Sequence, residues 1–299
     1  MRVVVTGGSG FIGTQTVRRL LERGDEVTVV DLKRSAEEHI RLVQGDLRDR
    51  AVVEDALAPG TDAVVHLAAM TSVLQSVNDP DGVFRTNLEA THLLLERCRQ
   101  LGIGRFVFAS TNAVVGDVGR ARINEQMVLR PLTPYGSTKA AAEMLLSAYS
   151  ASFGLTTGVL RFTNVYGRGM QLKDSVVARL MRAAMAGGGI QIYGDGEQVR
   201  DYVYVTDAVA AIELGLSLPE SDTLTIGAGE SVSMNQLHQI ACEVTGVEIG
   251  TEHIDPKPGE MPAVIVDISH GATRGYVPAY DVRSGVRATW EDFLAQNRG

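Results

Sequence analysis

The stretch that decides the fold is residues 2–13, RVVVTGGSGFIG, in a chain of 299 residues. Its run of valines is typical of a buried strand, and an amphipathic helix is predicted from Phe11 to Arg23. Gly7, Gly10 and Gly13 lie between them with the spacing GxxGxxG. Glycine permits a tight turn and a close approach of backbone to a pyrophosphate, and a helix N-terminus supplies N–H donors and positive partial charge. The stretch therefore predicts a strand–turn–helix unit that binds a dinucleotide.

Short strands and helices continue to alternate along the first half of the chain. Further apolar runs predict strands at 27–30, 63–67 and 106–108, and helical stretches such as 87–101 lie between them. The runs are nearly all apolar, as expected for strands covered by helices on both sheet faces. The pattern predicts an α/β fold with a doubly wound parallel Rossmann sheet and right-handed crossovers.

The second half has a different character. A helix is predicted over 175–186, glycine turns and short strands follow it, and Ser233 begins another helix with a capping-box pattern. We expect residues 1–166 to form the dinucleotide-binding domain, with segments near 200–228 returning to it. Residues 167–299 are expected to form mainly a smaller α/β substrate-binding domain at the C-terminal side, since ligands of such sheets bind at the carboxyl ends of the strands.

Composition limits the classes of function. A formal net charge of −8 argues against a nucleic-acid or anionic-membrane surface, because phosphate binding needs a basic footprint. No apolar run reaches the roughly 18 residues of a spanning helix, and the first strand begins too early for a signal peptide. Cys98 and Cys242 are expected to be reduced structural thiols, and the histidines show no metal-ligand spacing. We expect a cytoplasmic protein without a metal site.

Asp31 is predicted to end the second strand, 18 residues after Gly13. A carboxylate there can accept hydrogen bonds from both ribose hydroxyls of an adenosine and would repel a 2′-phosphate. Lys33 and Arg34 follow it and are suited to NADP. The carboxylate therefore favours NAD without excluding NADP.

Tyr135 and Lys139 form a YxxxK motif just inside a predicted helix after Pro134. Residues four apart share a helix face, so the ammonium can lie beside the phenol. The tyrosine pKa must fall by about 3 for it to act as a base near neutrality, and a lysine charge together with an oxidised nicotinamide supplies the ~4 kcal/mol needed. Thr111, 24 residues upstream, adds a hydroxyl that can bridge substrate and tyrosine. These residues predict a proton-transfer site beside a nicotinamide.

With motifs elsewhere in the chain, this constellation resembles the extended short-chain dehydrogenases/reductases, the NAD-dependent epimerase/dehydratase family that includes UDP-galactose 4-epimerase and dTDP-glucose 4,6-dehydratase. The resemblance runs nearly end to end. It implies NAD as cofactor, a nucleotide-diphosphate sugar as substrate, and a homodimer formed through a four-helix bundle of residues 87–101 and 138–152. The segments that carry it are His66–Ala69, Asn87, Pro134–Lys139, Arg161–Gly167, Arg200–Tyr202 and Asp207.

The same resemblance implies two sets of binding residues in addition to the catalytic Thr111, Tyr135 and Lys139. The cofactor set has Asp46 and Leu47 beside the adenine and residues 162–165 near the nicotinamide. It consists of Gly7, Gly10, Phe11, Ile12, Gly13, Asp31, Leu32, Lys33, Asp46, Leu47, Leu67, Ala68, Ala69, Asn87, Ala109, Ser110, Tyr135, Lys139, Phe162, Asn164 and Val165. The substrate set consists of Thr71, Ser72, Thr111, Asn112, Asn164, Tyr193, Arg200, Lys257, Glu260 and Val264.

Three features of the substrate set bear on specificity. Arg200 is implied to bind a phosphate oxygen, a role that suits a guanidinium fork. Lys257 and Glu260 replace the family's Arg and Asp, which keeps the charges but loses bidentate geometry. Val264 aligns with a position that gates the C2 substituent of the sugar, where a small side chain would admit an N-acetyl group. The alternative is that Val264 simply packs in its domain. The family's Val-Tyr-Gly after the catalytic Thr reads Val-Val-Gly here, with Val115 in place of the tyrosine.

Three functions are compatible with these residues. The first is a sugar-nucleotide 4-epimerase that oxidises C4 transiently and returns the hydride to the other face. The second is a dehydratase, decarboxylase or 4-ketoreductase of the same family. Family dehydratases follow the catalytic threonine with an Asp-Glu pair, whereas Asn112 and Ala113 stand here and can supply neither acid nor base. The third is a non-catalytic dinucleotide-binding regulator, which would not need Thr111, Tyr135 and Lys139. The 4-epimerase is the favoured interpretation.

Overall fold

The computed structural model describes residues 1–256 and 261–297. The strands are β1 (Arg2–Thr6), β2 (Glu26–Asp31), β3 (Arg41–Gln44), β4 (Ala63–His66), β5 (Arg105–Thr111), β6 (Arg122–Ile123), β7 (Thr156–Phe162), β8 (Asn164–Tyr166), β9 (Gly189–Tyr193), β10 (Val199–Tyr204), β11 (Asp222–Ile226), β12 (Ser231–Ser233), β13 (Gly250–Ile254) and β14 (Ile265–Val266). The helices are α1 (Phe11–Glu22), α2 (Arg50–Ala56), α3 (Val73–Asn78), α4 (Pro80–Phe84), α5 (Ala90–Leu101), α6 (Pro134–Phe153), α7 (Val176–Ala186), α8 (Val205–Ser217), α9 (Met234–Thr245), α10 (Ser269–Thr273) and α11 (Val282–Asn297), with a π-helical stretch at Arg85–Glu89 and a 3-10 turn at Asn112–Val114.

The chain divides into two units, and each is built from separate segments. The first consists of Met1–Asp117, Glu125–Arg161 and Val209–Leu224. The second consists of Val118–Asn124, Phe162–Ala208 and the chain from Thr225 onward.

A seven-stranded sheet with the order β11-β7-β5-β4-β1-β2-β3 forms the centre of the first unit. The pairings that join β3, β2, β1, β4 and β5 are all parallel. The order reverses direction at β1, the first strand, as it does in doubly wound folds whose ligands bind where the strand order reverses. The predicted α/β fold with a parallel Rossmann sheet is confirmed.

Burial explains why these runs became strands. The three valines of β1 are at most 2% exposed, and all four residues of β4 are fully buried. Side chains of α5 and α6, among them Leu94 and Leu146, join the same apolar cluster as strand residues such as Phe106. Because both faces of these strands are covered, the apolar runs show no alternation with polar residues.

The helix predicted at 87–101 begins earlier and is less regular than expected. Helical structure starts at Pro80, where the Asp79 carboxylate accepts the Gly82 N–H at 2.9 Å, and it passes through the π-helical stretch before α5. Asn87 lies in that stretch and its amide binds the Met70 backbone: Oδ1 accepts the Met70 N–H at 2.8 Å and Nδ2 donates to the Met70 carbonyl at 3.0 Å. The irregular turn therefore coincides with a tertiary contact that local periodicity does not reveal.

The start of α6 is set by two adjacent residues. The Thr133 hydroxyl caps the helix by accepting the Gly136 N–H at 3.2 Å, and Pro134 occupies the first helical position, where its missing N–H costs nothing. Gly154 ends the helix in the left-handed conformation. Tyr135 and Lys139 consequently lie in the first two turns of α6, as predicted.

The second unit contains smaller sheets. Strands β12, β10 and β8 form one sheet, and β13–β9 and β14–β6 form two pairs. The capping box predicted at Ser233 is present: its side chain accepts the Gln236 N–H at 3.2 Å, and Gln236 Oε1 accepts the Ser233 N–H at 2.8 Å. Over the described residues of both units, no helix is long and apolar enough to cross a membrane.

Two leucines of the second unit test its core. Leu180 on α7 is fully buried, whereas Leu172 is fully exposed. We expect Leu180→Ala to lower the free energy of unfolding by about 2–5 kcal/mol, through lost burial and the cavity left behind. Leu172→Ala, the same substitution at a fully exposed position, should change the free energy of unfolding by less than about 0.5 kcal/mol. Urea denaturation of both variants measures the difference, and equal effects would contradict the burial described here.

Candidate active site

The glycine loop after β1 is shaped by close backbone approaches. Gly7 has a φ of +70°, and a Cβ there would lie 2.7 Å from the Ala68 nitrogen. A Cβ on Gly13 would lie 2.0 Å from the Gly7 carbonyl oxygen. Gly10 is the N-cap of α1 and offers no side chain to the N–H groups of the first turn. The loop therefore fits the pyrophosphate of a dinucleotide, which would take the place of a capping side chain.

Asp31 lies beside this loop at the end of β2, as predicted. Its carboxylate accepts the Ser9 N–H at 3.0 Å and the Lys33 N–H at 2.9 Å. An ionised carboxylate has about four acceptor positions, so both oxygens retain capacity for ribose hydroxyls. Leu32 is 67% exposed and Lys33 is also exposed, which places the end of β2 at the surface of the first unit.

Other predicted cofactor residues of the first unit also lie just after the ends of strands. Asp46 and Leu47 come after β3, and the Arg48 guanidinium, 2.6 Å from the Asp46 carboxylate, holds the pKa of that carboxyl below its usual range. Leu67, Ala68 and Ala69 come directly after β4. The Asn87 amide binds the Met70 backbone and donates to the Thr138 hydroxyl at 3.3 Å, so Asn87 ties this segment to α6.

His66 ends β4 and is fully buried. Its ring nitrogens contact the Thr6 hydroxyl at 2.6 Å and the Thr91 hydroxyl at 2.9 Å. Burial, with a smaller contribution from the Lys139 charge, lowers its pKa to about 3. His66 is therefore a neutral, hydrogen-bonded core residue at physiological pH.

The three predicted catalytic residues meet where β5 ends and α6 begins. The Tyr135 hydroxyl is hydrogen-bonded to Thr111, which is the last residue of β5. Lys139 Nζ donates to the Ala109 carbonyl at 2.8 Å and lies 4.5 Å from the centre of the Phe108 ring. The chain thus brings a phenol, a hydroxyl and an amine to one point of the first unit.

Burial changes the acid–base properties of this group in a direction that the sequence did not indicate. It raises the pKa of Tyr135 to about 12, although the Thr111 hydrogen bond acts in the opposite sense. Burial also lowers the pKa of Lys139 to about 7, partly offset by the Glu143 carboxylate. The pKa of Tyr135 must therefore fall further than the roughly 3 units expected from the sequence, because both charged forms lose hydration in the same buried place.

A second buried group adjoins the first and was missed by the sequence analysis. The Glu143 carboxylate accepts a short hydrogen bond from the Ser110 hydroxyl and pairs with Arg161, whose Nη2 lies 2.7 Å from Oε2. Both charged side chains are at most 7% exposed. Glu143 lies four residues after Lys139 on α6, so a carboxylate within an Ala- and Leu-rich helix segment was the signal that could have found it.

The predicted substrate residues fall in both units. In the first, Thr71 and Ser72 precede α3, and Ser72 caps that helix by accepting the Gln75 N–H at 3.2 Å. Asn112 is 7% exposed, and its side-chain amide oxygen Oδ1 has no hydrogen-bond partner within the described part of the chain. Lys257 and Glu260 lie outside the described residues.

The second unit brings two of the predicted residues together. The Val199 carbonyl accepts Arg200 Nη1 at 2.8 Å and the Val264 N–H at 2.8 Å, and Val264 is 4% exposed. Asn164 Nδ2 donates to the Asp201 carbonyl at 3.0 Å. Of the remaining residues, Phe162 ends β7, Val165 lies on β8 and Tyr193 ends β9.

The glycine loop and the Thr111–Tyr135–Lys139 group lie inside a longer sequence match. The sequence profile of the NAD dependent epimerase/dehydratase family matches residues 3–227. The chain belongs to this family. Its cofactor is therefore NAD, as expected from the glycine loop and Asp31.

Solved structures resemble the whole chain. A UDP-glucose 4-epimerase from Thermotoga maritima, determined with UDP-glucose, has a TM-score of 0.95 and 32% sequence identity, covering 99% of this chain and 100% of that one. A UDP-glucose 4-epimerase from Thermus thermophilus, in complex with NAD, has a TM-score of 0.93 and 36% identity, covering 98% and 99%.

Dehydratases of the epimerase/dehydratase family are also similar in sequence. A dTDP-glucose 4,6-dehydratase from Streptomyces griseus is 33% identical over 303 residues, which is 96% of this chain and 92% of the relative. Overall similarity therefore does not separate the two reactions, and the residues around Thr111 must do so.

The glycine loop gives a direct test of the NAD site. We expect Gly13→Ala to weaken NAD binding by at least tenfold, about 1.4 kcal/mol, because its Cβ would lie 2.0 Å from the Gly7 carbonyl and displace the loop. Gly104→Ala is the matched control, since a Cβ there has nothing within 4 Å. Calorimetric titration of NAD-stripped protein measures both affinities. Unchanged affinity in Gly13→Ala would show that the loop does not bind the cofactor.

Proposed function

We propose that the chain is an NAD-dependent sugar-nucleotide 4-epimerase acting on UDP-sugars. The observation that carries the proposal is the buried group at the end of β5, in which Tyr135 is bonded to Thr111 and Lys139 is bonded to the strand backbone. A proton-transfer group of this kind is superfluous in a protein that only senses a dinucleotide. The UDP-glucose 4-epimerases of similar structure support the substrate class.

In this proposal Tyr135 takes the proton from O4 of the sugar and later returns it, while Thr111 positions the oxygen. When bound, oxidised NAD supplies the acceptor for the C4 hydrogen and a positive charge near the phenol. Bringing a tyrosine pKa from about 12 to neutrality requires about 7 kcal/mol, and a unit charge at ~4 Å contributes ~4 kcal/mol. The Lys139 charge is therefore insufficient alone, and the two positive charges together are sufficient.

The pH dependence follows from the same two groups. Turnover requires ionised Tyr135, so it rises as pH increases through the tyrosine pKa of the complex. It also requires protonated Lys139, whose pKa is about 7 in the protein alone, so activity falls as pH rises through the lysine pKa.

Asn112 and Ala113 favour epimerisation over the dehydratase alternative. Elimination across C5 and C6 needs an acid and a base beside Thr111, and neither residue can donate or accept a proton near neutral pH. A ketoreductase would exchange its cofactor at each turnover, and the Asp31 carboxylate disfavours the 2′-phosphate of NADP. Asp31 thus supports NAD, and not NADP, as the cofactor of the proposed reaction.

The proposal also covers the roles of the two units, the cellular location of the protein and its oligomeric state. We assign NAD binding mainly to the first unit and sugar-nucleotide binding mainly to the second, where Arg200 would bind a phosphate oxygen. Two free thiols fit a cytoplasmic location.

A homodimer through a four-helix bundle of 87–101 and 138–152 is supported by an apolar depression on these helices and by the exposed side chains of Met144 and Phe153. The depression is lined by Phe84, Leu88, Glu89, His92, Leu93 and Leu145.

The central experiment incubates the protein with UDP-glucose, UDP-galactose, UDP-GlcNAc and dTDP-glucose and follows the sugars by NMR. We expect interconversion of C4 epimers by the wild type and a loss of about 10²–10⁴-fold in Tyr135→Phe, with NAD content retained. Tyr149→Phe is the matched control on the same helix, because its hydroxyl is bonded to Glu96 instead. Accumulation of a 4-keto-6-deoxy sugar, or normal turnover by Tyr135→Phe, would contradict the proposal.

Val264 is proposed to set the size of the sugar pocket at C2. Valine is much smaller than tyrosine, so we expect UDP-GlcNAc to be accepted, and Val264→Tyr to lower kcat/KM for UDP-GlcNAc by at least tenfold relative to UDP-glucose, about 1.4 kcal/mol. Val277→Tyr is the control, since Val277 is 75% exposed. If Val264→Tyr lowers stability but leaves the ratio of the two kcat/KM values unchanged, Val264 only packs within its unit.

A further inference from the structure

The last three residues of β5 are each tied to α6. Ala109 accepts the Lys139 ammonium, the Ser110 hydroxyl donates to Glu143, and Thr111 is hydrogen-bonded to Tyr135. The three α6 residues, 135, 139 and 143, are spaced by four, so they lie along one face of the helix. The contacts of Lys139 and Tyr135 belong to the proton-transfer site already described. The hydrogen bond between Ser110 and Glu143 has no role in that site so far.

Arg161 binds both oxygens of the Glu143 carboxylate, one of which also accepts the Ser110 hydroxyl. Arg161 Nε lies 3.1 Å from Oε1 and 3.2 Å from Oε2, and Nη2 lies 2.7 Å from Oε2. The remaining Nη1 of Arg161 donates to the Glu125 carbonyl at 3.3 Å. The carboxylate therefore has a single orientation, fixed by a guanidinium fork and a hydroxyl.

Stability does not by itself explain such a pair. The desolvation of two buried charges cancels much of their attraction, and apolar replacements are often equally stable. What a buried carboxylate does supply is a fixed negative potential in a medium of low dielectric. Lys139, one turn away, is the group that this potential reaches.

Burial opposes the charge of Lys139, whereas the Ala109 carbonyl and the face of the Phe108 ring, both on β5, are contacts that favour an ammonium. The titratable groups that interact with it are neutral His66 from β4 and Glu143 from its own helix, and Tyr135 lies one turn before it on the same helix face. Burial lowers the lysine pKa, and the Glu143 carboxylate raises it. Glu143 is therefore the carboxylate that favours the protonated form of Lys139, and the phenol requires that positive charge nearby.

We propose that Glu143, oriented by Arg161 and Ser110, is a positioning residue of the proton-transfer site that keeps Lys139 charged and holds the end of β5 against α6. The role in turnover rests on the epimerase function proposed above. The role in the charge of Lys139 does not, and it can be measured in the resting protein.

Opposite substitutions in the pair distinguish this role from a merely structural one. Glu143→Gln removes the negative charge and leaves the Arg161 charge, so both changes disfavour protonated Lys139. Arg161→Met removes the positive charge that pairs with Glu143 and leaves the carboxylate bound by Ser110, so it favours protonated Lys139 as long as that carboxylate stays ionised. A structural clamp broken from either side would instead give two similar defects.

The first measurement is a pH titration of Lys139 by NMR in protein labelled with carbon-13 at lysine Cε, at matched NAD content. The chain has four lysines, and the Lys139 signal is the one lost in Lys139→Met. Relative to the wild type, we expect the Lys139 pKa to be lower by roughly one pH unit in Glu143→Gln and higher by a similar amount in Arg161→Met. Shifts of the same sign in both variants, or no shift in either, would overturn the proposal.

The second measurement is the pH profile of kcat, in which the falling alkaline limb should move in the same directions. Glu143→Asp keeps the charge but is too short for the clamp, and Ser110→Ala loosens the clamp without changing a charge. Both should lower kcat and leave the alkaline limb of the pH profile in place.

If either charge variant fails to fold, the other still gives the sign of the shift. A displaced limb in Ser110→Ala would count against the proposal. If the wild type epimerises no sugar nucleotide, the proposed function fails, and the lysine titration alone decides the role of Glu143.

Discussion

The start of α6 is the constraint on which the candidate site depends. The Thr133 hydroxyl and the Pro134 ring fix the residue at which α6 begins. That start determines which face of the helix carries Tyr135, Lys139 and Glu143. A displacement of the helix by one residue would rotate its side chains by about 100° around the axis, which would remove all three ties to β5 together. The geometry of the Thr111–Tyr135–Lys139 group is thus well defined for two reasons. The start of α6 is capped, and β5, the strand that α6 contacts, lies between β7 and β4 in the sheet.

Burial in the interior that holds this group disfavours the charged forms of His66, Tyr135 and Lys139. His66 is neutral, Tyr135 resists ionisation and Lys139 is poised between its two forms near neutrality. In such a place a small change in nearby charge has a large effect, because little solvent screens it. In the proposed site a positive nicotinamide would favour ionised Tyr135, and the Glu143 carboxylate favours protonated Lys139.

Much of the fold could be predicted from the sequence, because the decisive signals are local. The glycine spacing, the buried strands and the capping box at Ser233 each depend on neighbouring residues, and each agrees with the structure. The irregular entry into α5 was not predictable in this way, since it coincides with Asn87 binding a backbone segment 17 residues away. The raised pKa of Tyr135 and the Ser110–Glu143–Arg161 group were missed for the same reason: both arise from burial and from contacts between β5, α6 and β7 that no window of sequence contains.

The two N–H groups that Asp31 accepts have a consequence for redesign of the cofactor preference. One comes from Ser9, inside the glycine loop, and the other from Lys33, just beyond β2. The carboxylate that is predicted to bind the ribose therefore also braces the loop that is predicted to bind the pyrophosphate. Exchanging it for a small neutral residue to admit a 2′-phosphate would leave both donors without their acceptor and loosen the adjoining turn. In the proposed site, selectivity and affinity for the dinucleotide would be coupled through one side chain, so a change of coenzyme would require a second substitution that restores an acceptor for the Ser9 N–H.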